Sequence, residues 1–311
     1  MITTVTLNAA IDKTYYIPSF SLNKVNRVAS MAQDPGGKGI NVAKIVKILQ
    51  LPLMTTGFLG GYNGLSIKKM LDDIAIKHHF ITVNGESRCC LNIIDDRNNS
   101  QTELLEQGPN ISPEDWAAFK TELAKLSAKS KVVTLSGSLP QGMKSNAYVE
   151  CIDIIQEKGA KAIVDTSGEA LEHVIRAKPY MVKPNLEEFA ALLQMKTVSE
   201  QAIVNTLQDW SESKGIPLVV VSMGSNGAIL SHYGTCYKVI PPSIQAINPV
   251  GSGDAFVAGM TAGIHQEMDP VQMMKLATAA GSANALESKA GMMTLENFEK
   301  LKGQVTVEKL I

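Results

Sequence analysis

Residues 248–259 read Asn-Pro-Val-Gly-Ser-Gly-Asp-Ala-Phe-Val-Ala-Gly, a turn of small residues that leads into a helical pattern of apolar residues. The backbone N–H groups of Gly251, Ser252 and Gly253 are free to point at a ligand, and with the helix dipole they favour an anion. Asp254 would repel a bound phosphate unless it acts as a base on an attacking hydroxyl. The stretch therefore predicts a phosphoryl-transfer site, and the alternative is an ordinary helix start capped by Ser252 or Asp254.

Two other phosphate-binding loops do not fit this sequence. The dinucleotide fingerprint requires Gly or Ala where Phe256 stands, and it belongs near the front of a βαβ unit. The chain also has no Gly-x4-Gly-Lys-Ser/Thr run, so it is not a P-loop NTPase. The missing fingerprint argues against a nicotinamide-dependent dehydrogenase, which is one alternative function for an α/β chain.

The composition is that of an ordinary globular protein. The 311 residues are 45% hydrophobic and 19% charged, and a net charge of −1 gives no electrostatic reason to bind nucleic acid or an anionic membrane. No apolar run approaches ~20 residues, and the N-terminus is typical of a strand, not of a signal peptide. Four cysteines without Cys-x-x-Cys spacing and five scattered histidines indicate reduced thiols, no zinc cluster and a cytoplasmic location.

Strands and helices alternate from about residue 131 onwards. Short apolar strands separated by helices predict a parallel sheet covered on both faces, with ligands beyond the carboxyl ends of the strands. Ser145 is the expected cap of the first of these helices. The predicted strands are 131–135, 160–165, 180–183, 218–222 and 228–231, and the predicted helices are 145–158, 170–177, 185–193, 199–213, 254–265 and 270–288.

Two segments, at about 12–34 and 87–107, alternate polar and apolar residues without helical periodicity. They predict strands outside the main sheet, with a hairpin turn at 95–100. A small sheet of this kind is expected to act as a lid that excludes water from reactive phosphates. The alternative is a structural flap or a platform for a homodimer, and the two roles are compatible.

A second glycine turn, Gly36-Gly37-Lys38-Gly39, opens a helix expected from Asn41 to about residue 49. Glycines allow a close backbone approach to a ligand, Lys38 adds positive charge, and Asn41 offers an amide to hydroxyl groups. Asp12 follows the first strand and is placed to accept hydrogen bonds from a polyol. Simple turn and cap roles are the alternative.

Lys183-Pro184-Asn185-Leu186-Glu187-Glu188 follows a predicted strand and opens a helix. Asn185 and Glu188 are three residues apart and share a helix face, where they can position water bound to Mg²⁺. A capping box explains the same spacing. Further glycine turns follow the strands that end near Leu135 and Ser222.

Together these motifs resemble the ribokinase-like superfamily, and within it the PfkB branch of sugar-phosphate kinases. The matching segments occur in family order along nearly the whole chain: 7–12, 36–41, 135–140, 182–188 and 248–254. Within the branch the resemblance is closest to kinases of tagatose 6-phosphate and fructose 1-phosphate. Asn8-Ala9 departs from the usual Asn-Pro, and Ser252 stands where most relatives carry Ala.

The resemblance implies a role for each site residue. Asp254 is the base, and the amides of Gly251, Ser252 and Gly253 hold the transferring group. The residues implied to bind sugar hydroxyls are Asp12, Gly36, Gly37 and Asn41. Those implied to hold the phosphate already on the substrate are Arg27, Lys38, Arg88 and Ser136. Those implied to bind ATP are Lys183, Asn185, Ser222, Gly224, Gly227 and Asn284, with Glu188 holding Mg²⁺ through water.

The sequence therefore predicts an α/β protein, a ribokinase-like three-layer α/β/α sandwich with a mainly parallel sheet and a small β-sheet lid, in one domain over 1–311. Its expected partners are a sugar phosphate and ATP with Mg²⁺, together with a second copy of the chain through the lid. The expected reaction converts tagatose 6-phosphate to the bisphosphate, and fructose 1-phosphate is the alternative substrate. A sugar-phosphate sensor without catalysis is a rival, but Asp254 and Glu188 are both retained.

Overall fold

The computed structural model describes residues 1–95, 97–98 and 100–310, and in these residues the chain forms a ten-stranded and a four-stranded sheet. The strands are β1 (Ile2–Thr6), β2 (Ala10–Ile17), β3 (Ser30–Gly36), β4 (Leu53–Gly60), β5 (His78–Val83), β6 (Arg88–Asp95), β7 (Ser100–Leu105), β8 (Val132–Ser136), β9 (Lys161–Asp165), β10 (Met181–Val182), β11 (Leu218–Ser222), β12 (Ala228–His232), β13 (Thr235–Ile240) and β14 (Thr306–Lys309). The helices are α1 (Lys38–Ile48), α2 (Gly61–Asp73), α3 (Pro113–Ser127), α4 (Ala147–Glu157), α5 (Gly168–Arg176), α6 (Leu186–Leu192), α7 (Glu200–Ser213), α8 (Ser252–His265), α9 (Pro270–Ala285) and α10 (Leu295–Lys302).

The large sheet has the strand order β14-β13-β12-β11-β10-β9-β8-β1-β4-β5. From β11 to β5 all neighbouring strands run parallel, whereas β12, β13 and β14 form an antiparallel edge. The carboxyl ends of β8, β9, β10 and β11 therefore meet at one side of the sheet. The mainly parallel sheet predicted from the strand–helix alternation is confirmed, and ligands of such sheets bind at this side.

Side chains of the large sheet alternate between two apolar clusters, one on each face. On β8, for example, Val132 belongs to one cluster and Val133 to the other. The first cluster takes in α1, α2, α8, α9 and α10, and the second takes in α3 to α7. These three layers confirm the predicted α/β/α sandwich.

Helices α8 and α9 are the most deeply buried pair of the first layer. Every residue from Asp254 to Ile264 is buried, and so are the residues from Ala277 to Ala285. A Cβ atom added to Gly259 would collide with the backbone of Ala277. Only glycine at this position therefore allows the two helices to pack this closely. This contact fixes the helix that begins at the Gly251–Gly253 turn.

The small sheet has the order β3-β2-β6-β7 and is built from the two segments predicted to lie outside the main sheet. Strands β6 and β7 pair antiparallel from Asp95 with Ser100 to Cys90 with Leu105. Of the predicted hairpin turn that joins them, Asp96 and Asn99 lie outside the described residues. One face of the small sheet points towards the carboxyl ends of the large sheet. The neighbouring residues Asp12, Asp34 and Cys90 lie on this face.

Four predicted helix starts differ from the structure by two or more residues. Helices α5 and α8 begin at Gly168 and Ser252, each two residues earlier than predicted. Helix α1 begins at Lys38 instead of Asn41, because the chain enters the helix directly after Gly37. Helix α4 begins at Ala147, with Asn146 as its N-cap residue, and in the described part of the chain no side chain caps it, so Ser145 does not have the predicted role. Among the described helices, none is both long and apolar enough to cross a membrane.

Candidate active site

The N-terminus of α8 begins at a turn that only glycine fits well. Gly251 is the N-cap residue with φ 82°, in the left-handed region, and a Cβ atom there would lie 2.8 Å from the Cβ of Ala290. No described side chain caps this helix, so the alternative with Ser252 or Asp254 as the cap is not what the structure has. In the turn Gly251–Gly253, here called the phosphate cradle, the Ser252 N–H donates to the carbonyl oxygen of Pro249 at 3.1 Å, so it is not free as the sequence predicts. The N–H groups of Gly251 and Gly253 have no partner among the described residues and are available to an anionic ligand.

Asn284 braces the phosphate cradle from behind. Its side-chain NH₂ group donates to the carbonyl oxygen of Val250 at 3.0 Å, and its oxygen accepts from the backbone N–H groups of Gly291 at 2.9 Å and Met292 at 3.3 Å. Asn284 is fully buried, and in the described part of the chain it lines neither of the two cavities that meet at the cradle. The structure gives Asn284 a different role from the predicted nucleotide contact, because its amide holds the loop in place.

Asp254 lies in the first turn of α8 and is buried, with 7% of its surface exposed. Its Oδ2 accepts a hydrogen bond of 2.9 Å from the side-chain NH₂ of Asn41, on α1. Burial raises the pKa of Asp254 to about 6, against the opposing influence of Lys38. A carboxylate with a pKa close to neutrality is suited to accept and release a proton.

A buried carboxylate, Asp165, joins two lysines beside this base. It ends β9, and its two oxygens lie 3.5 Å from the Nζ of Lys38 and 3.3 Å from the Nζ of Lys183. Burial alone would raise the pKa of Asp165, but Lys183 and Lys38 hold it below its ordinary value. A Cβ atom on Gly253 would lie 4.0 Å from the Lys183 Nζ, so this ammonium group faces the phosphate cradle.

One cavity, of about 440 Å³, lies between the small sheet and the cradle, and we call it the lid-side cavity. It contains the predicted residues Asp12, Gly37, Lys38, Asn41, Arg88, Lys183 and Asp254. Burial raises the pKa of Asp12 to about 6, and Lys44 and Arg88 are the cations that oppose this effect. A wall with carboxylate, amide and cationic groups suits a polar, anionic ligand such as a sugar phosphate.

A second cavity, of about 620 Å³, lies on the other side of the cradle. Predicted residues Ser222, Gly224, Gly227, Ser252 and Gly253 line it, together with apolar groups such as Phe256 and Ile244. The two cavities share Asn185, Ser222 and Gly253. They therefore meet at the phosphate cradle, with Asp254 on the lid side.

Three predicted ligand contacts are not brought to these cavities. Arg27 is exposed in the segment between β2 and β3 and lines none of the described cavities. Ser136 is buried at the end of β8, whereas Ser138 lies with Arg88 in a shallow adjoining cavity. Gly36 does not line the lid-side cavity, because the Asp12 carboxyl group occupies the space directly above it.

Asn185 and Glu188 form the capping box that was the alternative to a magnesium role. The Asn185 side chain accepts from the N–H of Glu188 at 2.8 Å, and Glu188 Oε2 accepts from the N–H of Asn185 at 2.8 Å. Glu188 lines neither main cavity of the described residues. The pKa of Lys38 is raised mainly by Asp165, and Glu188 adds to this effect after Asp254, so Glu188 acts on the site electrostatically.

Sequence reasoning missed Asp165 and Lys44. The sequence predicts a strand that ends at Asp165. A carboxylate at the carboxyl end of a parallel strand is the feature that could have identified Asp165 as a site residue. Lys44 is a charged residue inside an apolar helix, where every residue from Gly39 to Val46 is buried. Charges of this kind are rare in a core unless they are paired.

Comparisons with known proteins identify the family of the chain. The family described as pfkB family carbohydrate kinase matches residues 5–296. A tagatose-6-phosphate kinase of Staphylococcus epidermidis is 36% identical over 310 residues, 99% of each chain. A possible 1-phosphofructokinase of Thermotoga maritima superposes with a TM-score of 0.90 at 29% identity over 100% of both chains. Phosphofructokinase-2 of Escherichia coli in complex with fructose-6-phosphate gives a TM-score of 0.90 at 25% identity, over 97% of this chain and 98% of that chain.

The chain therefore belongs to the pfkB family of carbohydrate kinases, as its motifs indicated. It is an ATP-dependent phosphotransferase of the sugar-phosphate kinase class, with an alcohol group as the acceptor. This result removes the sensor and dehydrogenase alternatives as descriptions of its class.

Proposed function

We propose that this kinase transfers the terminal phosphoryl group of ATP to a ketohexose monophosphate, with tagatose 6-phosphate as the first substrate and fructose 1-phosphate as the alternative. The observation that carries the proposal is the position of Asp254, a buried carboxylate beside the phosphate cradle where two cavities meet. An acceptor hydroxyl in the lid-side cavity and a nucleotide in the other approach each other there.

The sugar phosphate occupies the lid-side cavity, and the small sheet serves as its lid. The Asp12 carboxylate accepts hydrogen bonds from hydroxyl groups, and the Asn41 amide donates to them or accepts from them. Gly37 lets the ligand approach the backbone closely. Arg88 is the clamp for the phosphate already on the sugar. Its Nε donates to the carbonyl of Asn8 at 3.1 Å, which holds the guanidinium against the cavity wall.

ATP occupies the second cavity, with its base and ribose near the turn that contains Gly224 and Gly227 and with Ser222 along its path. Its terminal phosphate reaches the phosphate cradle. Lys183 and Lys38, which both form ion pairs with Asp165, supply positive charge there. In this proposal Lys38 acts on the migrating group as well as on the phosphate that the substrate already carries.

The chemical step is an in-line displacement. Asp254 takes the proton of the acceptor hydroxyl, whose oxygen forms a bond to the terminal phosphorus of ATP. The bond from that phosphorus to the oxygen bridging it to ADP breaks, and the electron pair leaves with ADP. The Asp254 Oδ1 is available for the proton, because Oδ2 already accepts from Asn41. The cradle N–H groups and the two lysines stabilise the charge of the phosphoryl group in transit.

Magnesium fits the oxygen donors next to the nucleotide path. Mg²⁺ in kinases keeps several waters and needs only one or two carboxylates besides the phosphates, so a large acidic cluster is not required. Glu188 lines neither main cavity, but it uses only Oε2 in the capping box, so its Oε1 would hold Mg²⁺ through a water, with Asn185, which lines both cavities, next to it. When bound, the ion neutralises charge on the ATP phosphates.

The choice of first substrate rests on the relatives. The Staphylococcus epidermidis kinase, 36% identical, is named for tagatose 6-phosphate, and the Thermotoga maritima protein, 29% identical, is named as a possible 1-phosphofructokinase. The experiment is kcat/KM for tagatose 6-phosphate, fructose 1-phosphate and fructose 6-phosphate, measured side by side. We expect tagatose 6-phosphate to give the highest value. A higher value for fructose 1-phosphate would reverse the assignment.

The role of the base is tested with Asp254→Asn. We expect kcat to fall by roughly 10²–10⁴-fold with ATP affinity retained, as for the loss of a general base. Asp153→Asn, an exposed acid on α4, is the matched control and should behave like the wild type. Turnover of Asp254→Asn close to that of the wild type would remove Asp254 from the mechanism.

We also propose that two copies of the chain associate through the small sheet. Its outer face and the neighbouring segment expose Met31, Leu104, Val25 and Leu22, each more than half exposed, which is unusual for a free surface. Light scattering should give the mass of a dimer, and Leu104→Lys should lower it to that of a monomer. A monomeric wild type at micromolar concentration would contradict this part of the proposal.

A further inference from the structure

Lys44 is a buried cation that the kinase reaction described above does not use. It lies on the cavity side of α1, 6% exposed, and lines the lid-side cavity. Burial lowers its pKa, whereas the carboxylates of Asp34 and Asp12 oppose that effect. A lysine kept in the core against a desolvation cost needs a reason beyond packing, since methionine would fill a similar volume.

The reason is visible in a chain of hydrogen bonds. The Lys44 Nζ donates to Oδ1 of Asn41 at 3.4 Å, and Nδ2 of Asn41 donates to Oδ2 of Asp254 at 2.9 Å. An asparagine amide has an acceptor end and a donor end. If Asn41 rotated by half a turn, its oxygen would face a carboxylate and its NH₂ group would face an ammonium. The cation therefore disfavours the rotated amide.

We propose, on the basis of the function proposed above, that Lys44 is a positioning residue for the catalytic base: it fixes the Asn41 amide so that its NH₂ group holds one oxygen of Asp254 and leaves the other free for the substrate proton. Lys44 acts through Asn41, and it does not itself bind the reacting atoms.

The surroundings hold Lys44 in this position. The segment after α9 covers its side chain, since a Cβ atom on Gly291 would lie 2.9 Å from the Lys44 Cδ and 3.1 Å from the Asn41 Cα. Gly291 is itself held by Asn284, the residue that braces the phosphate cradle. The base, its amide partner and the cradle are thus supported by one connected set of contacts.

Several charged groups face the base and its supports. Those that act on Lys44 are Asp12 on β2, Asp34 on β3, Asp254 on α8 and Lys289 after α9; those that act on Asp254 are Lys38, Asp165 and Lys183. Removing the Lys44 cation from this set leaves the carboxylates less stabilised in their ionised form. The pKa of Asp12 then rises, because Lys44 lowers it directly. The pKa of Asp254 rises as well, because the hydrogen bond from Asn41 lowers it and this amide is no longer held in place. Both changes move the acid limb of the activity profile to higher pH.

The experiment compares Lys44→Met, Lys44→Arg and Lys47→Met in the full-length kinase. Lys47 lies on the same helix but is exposed, so it controls for the loss of a lysine. For Lys44→Met we expect kcat to fall at least tenfold at pH 7.5 and the acid limb of kcat/KM to move upward by roughly one pH unit. Lys44→Arg, which keeps the charge, should retain the wild-type limb, and Lys47→Met should match the wild type.

Three results would overturn the inference. One is a Lys44→Met profile that matches the wild type. Another is a higher KM for the sugar phosphate with kcat and the acid limb unchanged, because that pattern belongs to a substrate ligand. The third is an equal loss in Lys44→Arg and Lys44→Met. If Lys44→Met does not fold, as judged by its thermal midpoint and ATP binding, Lys44→Gln replaces it. A wild type inactive on all three sugar phosphates would instead contradict the proposed function.

Discussion

Lys289 forms an ion pair with Asp34 at 2.9 Å, which ties the segment that packs against the phosphate cradle to the small sheet. Both side chains line the lid-side cavity and both are partly exposed. The pair therefore crosses the mouth of the cavity in which we place the sugar phosphate. Its contribution to overall stability is small, because exposed ion pairs contribute about 0–1 kcal/mol.

Breaking this pair should affect substrate binding more than folding. We expect Lys289→Gln to raise KM for the sugar phosphate by a factor of about 2–10 while the free energy of unfolding changes by less than about 1 kcal/mol. The double variant with Asp34→Asn should be no worse than the worse single variant, as expected for residues in contact. Lys300→Gln, exposed on α10, is the control, and fully additive effects of the two changes would contradict the contact.

Replacing Arg88 should separate the two substrates. Arg88→Ala is expected to raise KM for the sugar phosphate about 10–100-fold, the range for the loss of a hydrogen bond from a charged group, and to leave KM for ATP almost unchanged. Arg176→Ala, exposed on α5, serves as the control. An equal rise of both KM values would remove Arg88 from the phosphate clamp.

Activity should fall below about pH 6. The pKa values of Asp254 and Asp12 are both raised to about 6 by burial, so each carboxylate takes up a proton as the pH drops through this value. We expect kcat/KM to decline there with a slope between one and two. A phosphate monoester also titrates near pH 6, so the substrate is titrated separately by ³¹P NMR and its contribution is subtracted. Full activity at pH 5 would contradict the assignment of the base.

The raised pKa of Asp254 also predicts that the folded state loses stability as the pH rises, whereas activity is lost as the pH falls. The folded state binds the Asp254 proton more tightly than the unfolded state, whose value is near 3.8, so the ionised carboxylate destabilises the fold above pH 6. Asp254→Asn should raise the thermal midpoint at pH 8, with a free energy of at most about 3 kcal/mol, and the gain should shrink as the pH falls towards 4. A gain that does not depend on pH would show that charge is not its cause.

Loss of the Asn284 brace should lower turnover without weakening substrate binding. Asn284→Ala removes the donor to Val250 and the acceptor for Gly291, and we expect it to cost about 1–3 kcal/mol of stability. The looser phosphate cradle should lower kcat by a factor of about 10–100, with little change in KM for the sugar phosphate. Asn205→Ala, exposed on α7, is the control, and unchanged kcat in Asn284→Ala would show that the cradle does not depend on the brace.

Much of the architecture could be predicted because the strand–helix alternation is a local pattern. The strand at Leu218–Ser222 was predicted at its observed bounds, and the small sheet arises from the two segments predicted for it. The region from 51 to 83, which supplies β4 and β5, was not interpreted, since its short apolar runs carry no decisive period. The start of α8 at Ser252 was missed by two residues, because Gly251 ends the turn by its backbone conformation and not by a side-chain cap.

The candidate site could be predicted where its residues stand in motifs that follow a strand. Asp254 and Asn41 were found in glycine turns and Lys183 in the segment that opens α6, and all three lie close to the cradle. Asp165 and Lys44 carry no motif, and their importance lies in partners far along the chain. The bracing role of Asn284 was not foreseen for the same reason, since the sequence shows an amide but not the carbonyl of Val250 to which it donates.

The tight packing of α8 against α9 has a consequence for exchange of backbone amide protons with heavy water. The residues of α8 beyond its first turn are buried as far as Ile264, so their amides should exchange only through global unfolding. Strands β3 and β7, at the edges of the small sheet, should exchange through local opening. The kinase would then hold its base in the first turn of a slowly exchanging helix and admit its sugar beside a sheet whose edges exchange more quickly.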